Sequence, residues 1–161
     1  MEIIVDDLTG PEIAEFLAAH VAELQSVSPP ESTHALDLDA LRRPEITFWS
    51  MRDGGTVVGC GALKELDADH AELKSMRIAP AHQNRGLASR LLVHITEAAQ
   101  QRGFSRLSLE TGSFDFFAPA RHLYAKHGFT PCEPFADYRP DPNSVFLTKQ
   151  LQPGRAGSAR A

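Results

Sequence analysis

The segment from Gln83 to Ser89 has residue types and a spacing suited to binding an anion. It leads into a helix pattern, and the first turn of a helix offers N–H groups without internal acceptors and about half a positive charge. Gly86 has no side chain where a phosphate would approach, and Gln83 and Arg85 can donate from the rim. We therefore expect a pyrophosphate to bind here, although a plain helix start would also explain the glycine. Neither the G-x-G-x-x-G fingerprint nor the G-K-S/T of a P-loop is present.

A second block, residues 120–129, supplies a candidate proton donor. It reads Ala-Arg-His-Leu-Tyr-Ala-Lys-His-Gly-Phe, and its Tyr124 is one of only 2 tyrosines in the chain. A phenol has an ordinary pKa of about 10, so its hydroxyl is protonated at neutral pH and can donate. The alternative interpretation is a tyrosine packed under a sheet with its hydroxyl bonded to backbone.

The two blocks, in this order and at this separation, resemble the signatures of the GCN5-related N-acetyltransferase (GNAT) family. Gln83-x-x-Gly86-x-Ala88 is similar to the R/Q-x-x-G-x-G/A motif that binds the pyrophosphate of acetyl-CoA, and residues 120–129 are similar to the A-x-x-x-Y-x-x-x-G-F block. The resemblance covers roughly residues 1–151 and implies that the strand before the first motif holds the pantetheine arm through its backbone. The donor-binding residues that it implies are Met76, Ile78, Gln83, Asn84, Arg85, Gly86, Leu87, Ala88 and Ser89.

The segment before Tyr124 departs from the family pattern. Many members carry an asparagine seven residues before the tyrosine, where this chain has Phe117. We therefore expect segment 111–117 to contact the pantetheine arm differently, with Ser113 as the donor-binding residue.

Acetyl transfer to an amine requires a neutral amine, a stabilised oxyanion and a proton for the departing thiolate. The resemblance assigns the proton to Tyr124. The ordinary pKa of a phenol is close to that of an alkyl thiol, so proton transfer to the departing thiolate is nearly balanced. The resemblance assigns the oxyanion to a backbone N–H near Met76 or Ile78. It also makes Glu72 the leading candidate for the base, because Glu72 lies on the same predicted strand. Alternation places Glu72 on the face of Met76 and Ile78, unless the bulge that is usual in this family intervenes.

Other groups compete with Glu72 for the role of base. Lys74 could hold it ionised and make it a poorer base, or the two could form a solvated pair. Glu110, on the next strand, is the second candidate. His34 is the third, because its loop is where this fold forms the acceptor pocket and its ordinary pKa suits proton transfer. We expect Glu110 and His34 to contact the acceptor, and an ordered water is a further candidate base.

The resemblance implies an acetyl-CoA-dependent N-acetyltransferase that acts on a primary amine of a small molecule or peptide by direct attack in a ternary complex. It implies no covalent enzyme intermediate and no metal. A non-catalytic acyl-CoA sensor and an enzyme with a longer acyl donor are the alternatives. Lys64, Arg77 and Arg139 could bind an acidic acceptor, although ordinary surface charge explains each of them as well. The proline-rich loop 138–144 could wall the acceptor site or only carry the chain across the surface.

Strand and helix patterns interleave along the chain. Apolar alternation and turn residues predict strands over 2–5, 47–51, 56–66, 71–79, 106–110, 129–132 and 145–151. Helical spacing and caps predict helices from near Pro11, over 36–42, over 86–102 and over 119–126. We predict an α/β (α+β) fold with a mixed, mostly antiparallel sheet of about seven strands flanked by helices.

Composition narrows the class of protein. The net charge of −5 argues against a nucleic-acid binder, and the 2 cysteines, Cys60 and Cys132, lack zinc-site spacing. We read both as reduced, packed thiols. No signal peptide or membrane span is evident, so we expect a cytoplasmic protein. We predict one domain over residues 1–151 and a disordered tail over 152–161; edge strands would permit a homodimer.

Overall fold

The computed structural model describes residues 1–27 and 38–152. Within these ranges the helices are α1 (Pro11–Val27), α2 (Leu38–Leu41), α3 (Leu87–Gln101) and α4 (Ala118–Lys126). The strands are β1 (Glu2–Val5), β2 (Ile46–Asp53), β3 (Thr56–Glu65), β4 (His70–Ile78), β5 (Arg106–Gly112), β6 (Thr130–Pro131) and β7 (Ser144–Gln150). Their order along the chain is the predicted one. His34 and the predicted tail from residue 153 onward lie outside the described residues.

The strands form one mixed sheet in the order β1-β2-β3-β4-β5-β7-β6. β1 pairs with β2, β2 with β3, β5 with β7 and β6 with β7, and in each of these pairs the strands are antiparallel. β4 and β5 are parallel. The predicted mixed, mostly antiparallel sheet flanked by helices is confirmed. The sequence patterns did not predict that β7 lies between β5 and β6.

The chain packs as two compact units. Over the described residues, the first holds 1–27, 38–64 and 74–95, and the second holds 65–73 and 96–152. In the first unit, apolar side chains at helical spacing on α1 pack on β2 and β3. The buried cluster consists of Leu8, Ile13, Leu17, Leu41, Phe48, Val57, Cys60 and Ala62.

Two glycines of β3 make room for large side chains in the first unit. A Cβ at Gly61 would lie 2.6 Å from Ile95 Cδ1 of α3 and 2.8 Å from Met76 Sδ of β4. A Cβ at Gly59 would lie 2.7 Å from Ile78 Cδ1. Met76 and Ile78 therefore pack over the two glycines, on the side of the sheet that α3 covers.

Ser75 interrupts the regular alternation of β4. Its φ of 59° lies in the left-handed region, which regular strands do not use. Cys60 donates its thiol to the Ser75 carbonyl oxygen at 3.1 Å and lies in the α1 cluster. The alternation from Glu72 to Met76 is therefore broken between them, as the expected bulge requires.

The second unit is built around β5. The first three residues of β4 pair with one side of β5, placing Glu72 opposite Ser108, and β7 pairs with the other side along the whole strand. Side chains of β5 alternate between two faces. Leu107 and Leu109 are buried on one face, and Ser108 is buried on the other.

A left-handed glycine ends α4 and fixes the position of Tyr124. Gly128 has a φ of 91°, and its N–H donates to the Ala125 oxygen at 3.0 Å. The Phe129 N–H donates to the Tyr124 oxygen at 3.0 Å, and the two rings are in edge contact at 5.7 Å between centroids. These bonds and the ring contact form a Schellman cap. α3 ends in the same way, with Gly103 at a φ of 90°.

Asp6 ties the end of β1 to β2 in the first unit. One carboxylate oxygen accepts the Leu8 N–H at 2.8 Å, and the other accepts the Ser50 hydroxyl at 2.7 Å and Arg52 Nη2 at 2.9 Å. Burial raises the pKa of Asp6, but the hydrogen bonds and the Arg52 charge lower it by more, so the pKa is lowered overall. The fold therefore favours the ionised carboxylate.

We expect Asp6→Asn to lower the free energy of unfolding by about 1–3 kcal/mol at neutral pH, because an amide accepts these bonds less strongly than a charged carboxylate. The folded-state pKa lies below the unfolded value of about 3.9, so the stabilisation is complete above that value and is lost as the pH falls through the folded-state pKa. Urea unfolding at a series of pH values measures the difference. Asp53→Asn, at the exposed end of β2, is the control, and a difference that does not shrink in acid would contradict the prediction.

We expect Gly128→Ala to cost about 1–2 kcal/mol of stability, because an L-residue is strained at this φ. Steric crowding does not contribute to this loss, because the added Cβ would lie 3.6 Å from the Lys149 side chain, which is an ordinary contact. Gly103→Ala is the matched control, with the same φ and nothing within 4 Å of its Cβ. Both variants should lose similar stability in urea. Only Gly128→Ala should change the NMR signals of the Tyr124 ring, and unchanged signals there would disprove the role of the cap.

Candidate functional site

A short turn carries the chain from β4 to α3 in the first unit. The Ala79 N–H donates to the Val58 oxygen at 2.8 Å, which anchors the turn to β3. A single 3-10 turn follows at Pro80–His82. Gln83 then folds back, and its Nε2 donates to the Ile78 oxygen at 3.2 Å. One of the Gln83 donors that the sequence assigned to the anion therefore binds the end of β4.

Left-handed residues open the N-terminal end of α3. Asn84 has a φ of 64° and Gly86 a φ of 77°. The Arg90 N–H donates to the Gly86 oxygen at 3.1 Å. The amides of Leu87 and Ala88 belong to the turn before Arg90, so they have no acceptor within the helix and point out of its N-terminal end. A Cβ added at Gly86 would meet nothing within 4 Å, and residues 83–86 are exposed. This open end, with its amides and a rim arginine, has the shape and charge that a pyrophosphate needs.

Tyr124 is buried in the second unit. Its side chain is 7% exposed, and burial raises the pKa of its phenol well above the ordinary value. This raised pKa differs from the ordinary phenol value on which the near-balanced transfer to a thiolate is expected. The hydroxyl stays protonated at all physiological pH values and can act as a hydrogen-bond donor.

The segment from Gly112 to Phe117 is held tightly within the second unit. A Cβ at Gly112 would lie 2.1 Å from the Phe117 ring, so only glycine fits beneath it. Arg121 Nη1 donates to the carbonyl oxygens of Gly112 at 2.7 Å and Phe114 at 3.0 Å. Ser113 Oγ donates to the Pro142 oxygen at 2.9 Å. The Ser113 hydroxyl, which we expect to contact the pantetheine arm, thus already bonds to the loop before β7.

Glu72 is a buried carboxylate with a tyrosine partner. The residue is 3% exposed, and Tyr138 donates its hydroxyl to Glu72 Oε2 at 2.6 Å. The Tyr138 ring makes edge contacts with Phe135 and Phe146. Burial, then the charges of Glu72 and of nearby Glu110, raise the pKa of Tyr138. Tyr138 thus bonds to Glu72, and the charge of Glu110 also acts on it.

A line of polar side chains continues from Glu72 across the same face of the second unit. His70 Nε2 is 2.7 Å from Ser108 Oγ, which is 2.9 Å from Thr148 Oγ1. Arg106 Nε donates to Thr148 Oγ1 at 2.9 Å. Burial, then the Arg106 charge, lower the pKa of His70. Sequence reasoning missed this line, because its members are single polar residues at alternate positions of three strands.

Tyr138 was also missed as a functional residue. Its only signal in the sequence was its place in the proline-rich loop 138–144, which we expected either to wall the acceptor site or to cross the surface. The contact with Glu72 joins residues that are 66 positions apart. No local pattern indicates such a pairing.

Arg77 is not the surface charge that its sequence context suggests. Its side chain is 10% exposed and pairs with Glu23 of α1. Its guanidinium carbon lies 5.9 Å from the centre of the Phe16 ring. Among residues 1–27 and 38–152, no cluster of three or more His, Cys, Asp and Glu side chains could hold a metal ion. Over those same ranges, no helix has the length and apolar character needed to cross a membrane.

The chain is similar to known acetyltransferases. The acetyltransferase (GNAT) family model matches residues 13–129. The chain is 56% identical over 151 residues to the uncharacterized N-acetyltransferase YsnE of Bacillus subtilis, covering 94% of this chain and 100% of that protein. It is 41% identical over 129 residues to the IAA acetyltransferase of Azospirillum brasilense, covering 80% of this chain and 83% of that protein.

A solved structure shows the same fold. The GNAT family acetyltransferase of Elizabethkingia anophelis, with acetyl-CoA bound, superposes with a TM-score of 0.68 at 18% identity and covers 93% of this chain and 97% of that one. Family model, relatives and fold agree, and the chain belongs to the acetyltransferase (GNAT) family.

Proposed function

We propose that this protein transfers the acetyl group of acetyl-CoA to a primary amine of a small molecule or peptide by direct attack. The observation that carries the proposal is the open N-terminal end of α3. Gly86 is left-handed there and leaves free space, and the amides of Leu87 and Ala88 face outward. A pyrophosphate is the anion of acetyl-CoA that fits such an end, and a relative of the same fold holds acetyl-CoA.

The proposed donor site follows the chain from β4 into α3. The backbone of Met76 and Ile78 would hold the pantetheine arm, and the turn would hold the pyrophosphate through the amides and side chains of residues 83–89. Arg85 is exposed at the rim, where it can add a charged donor. We keep Ser113 as a donor contact in this proposal, made either by its backbone or after its hydroxyl leaves the Pro142 oxygen.

The reaction moves one acyl group and one proton. The neutral amine nitrogen attacks the thioester carbon, the C–N bond forms and the C–S bond breaks. The amine proton passes to a base and the thiolate of coenzyme A departs. Because the pKa of Tyr124 is raised, we propose that its hydroxyl stabilises the thiolate as a hydrogen-bond donor before any proton is transferred.

Glu72 is our proposed base, with Glu110, His34 and an ordered water as the alternatives. The Tyr138 hydroxyl supports this choice, because a donor fixes the buried carboxylate in one orientation. Glu110 lies close enough to affect the same tyrosine and is half-buried. His34 lies outside the described residues and keeps only the support of its sequence position.

Two other functions use the same fold. A non-catalytic sensor would bind acetyl-CoA without turnover, and a different acyltransferase would prefer a longer acyl chain. The relative named IAA acetyltransferase has its own acceptor, and its name does not fix the acceptor of this chain. The cytoplasmic location, the single domain over residues 1–151 and the homodimer stay predictions.

We expect purified protein to release free coenzyme A from acetyl-CoA in the presence of an amine library, and Tyr124→Phe to lower kcat by about 10–100-fold, because the departing thiolate loses its donor. The released thiol is measured with a reagent that becomes coloured when it reacts with free thiols. Urea unfolding of both proteins is the control that Tyr124→Phe remains folded. Binding of acetyl-CoA without release of thiol by any amine would favour the sensor, and a failure to bind would refute the donor site.

We expect the Tyr138 hydroxyl to stabilise the Glu72 carboxylate by about 1.5–3 kcal/mol, the usual range for a hydrogen bond to a charged group. Tyr138→Phe keeps the ring contacts with Phe135 and Phe146 and removes only this donor. A double-mutant cycle with Glu72→Gln, measured by urea unfolding, isolates the pair. Additive losses would mean that the two side chains are not coupled.

If Glu72 is the base, Glu72→Gln should lower kcat far more than Glu110→Gln does. The reverse order would assign the base to Glu110. Near-normal rates in both variants would leave His34 or an ordered water in that role, and His34→Gln separates those two.

A further inference from the structure

A buried arginine lies across one face of α1 in the first unit. Phe16, His20 and Glu23 lie on one face of this helix, because they are four and seven residues apart. The Arg77 guanidinium carbon lies 5.9 Å from the centre of the Phe16 ring at one end of this row, and Nη1 donates to Glu23 Oε1 at the other. His20 lies between them.

The donors of this cluster exceed the acceptors that it supplies. A guanidinium has five N–H donors in a fixed fork, and a single hydrogen bond to a half-buried glutamate uses few of them. His20 is 8% exposed, and its Nδ1 is buried without a hydrogen-bond partner. Burial, then the Arg77 charge, lower the pKa of His20 to about 4, so the ring is neutral at pH 7 and carries one N–H. Among the described residues, His20 Nδ1 is the buried nitrogen of this cluster without a partner. A neutral ring that carries its proton on Nδ1 needs an acceptor there, and the guanidinium donors that Glu23 does not use can bind the same acceptor, supplied from outside.

The position of Arg77 on β4 relates the cluster to the proposed chemistry. Met76 and Ile78, on either side of it, pack over Gly61 and Gly59 on the side that α3 covers. Arg77 points the other way, toward α1. The attacking amine must come within about 3.5 Å of the thioester carbon. If the backbone of β4 holds the donor arm, the rest of a small acceptor lies within reach of the Arg77 side chain.

We propose that Arg77, together with His20, binds a carboxylate carried by the acceptor, so that the substrates are amines that bear a carboxylate, such as amino acids. This inference rests on the proposed function and names its acceptor class. A carboxylate matches the guanidinium fork with two parallel hydrogen bonds. Glu23 holds the guanidinium in place along α1, and the ammonium group of the acceptor balances the added charge until it loses its proton.

The test compares each of the common L-amino acids with its own carboxamide, which keeps the size and removes the charge. We expect kcat/KM of the wild-type protein to favour the best acid over its carboxamide by at least about tenfold. Arg77→Gln should remove that preference. Arg77→Lys should keep part of it, because the charge remains and the fork is lost. Glu23→Gln should keep or increase it.

Equal use of acids and carboxamides by the wild type, or an equal loss of both in Arg77→Gln, would overturn the inference while leaving acetyl transfer intact. If no amine is acetylated, the proposed function fails, and the binding of the acids and carboxamides then tests the inference by itself. The NMR signals of the His20 ring, assigned with His20→Gln, are then followed as the same compounds are added in the presence of coenzyme A. Shifts with acids alone support the site, and shifts with both sets or with neither set refute it.

Discussion

The left-handed backbone of Ser75 is the constraint on which the arrangement of β4 depends. Side chains of a regular strand alternate between two faces, and one residue outside the strand region resets that alternation. After Ser75, Met76 and Ile78 pack over glycines on the α3 side, while Arg77 reaches α1. Cys60 supports the bend with its thiol, whose pKa burial raises to about 12, so it remains a neutral donor.

Most motif residues shape the backbone and carry no reactive group. Gly86 opens the start of α3 and Gly128 closes the end of α4, each at a φ that other residues adopt only with strain. Phe129 packs on Tyr124, so the tyrosine, glycine and phenylalanine of the second block are parts of one cap. The spacing of the motif is therefore the spacing of hydrogen bonds at a helix end, which a sequence can reveal.

The fold was largely predictable, because helical spacing, strand alternation and turn glycines are local signals. The place of β7 between β5 and β6 was not, since pairing between distant strands leaves no local pattern. The same reason hid the bond between Tyr138 and Glu72. Serine rarely adopts a left-handed φ, so the sequence did not indicate that the alternation breaks at Ser75. The face on which Arg77 lies could therefore not be predicted, and Arg77 was assigned to the surface.

Neighbouring residues of β4 that face opposite sides also differ in the substitutions that the fold can accept. Met76 and Ile78 fill fixed volumes over two glycines, so few side chains of another size fit at these positions. Arg77 meets side chains of a single helix, and a change there can be matched by a change at Glu23 or Phe16. The strand can therefore accept paired substitutions on its α1 side, while its α3 side admits few changes of volume.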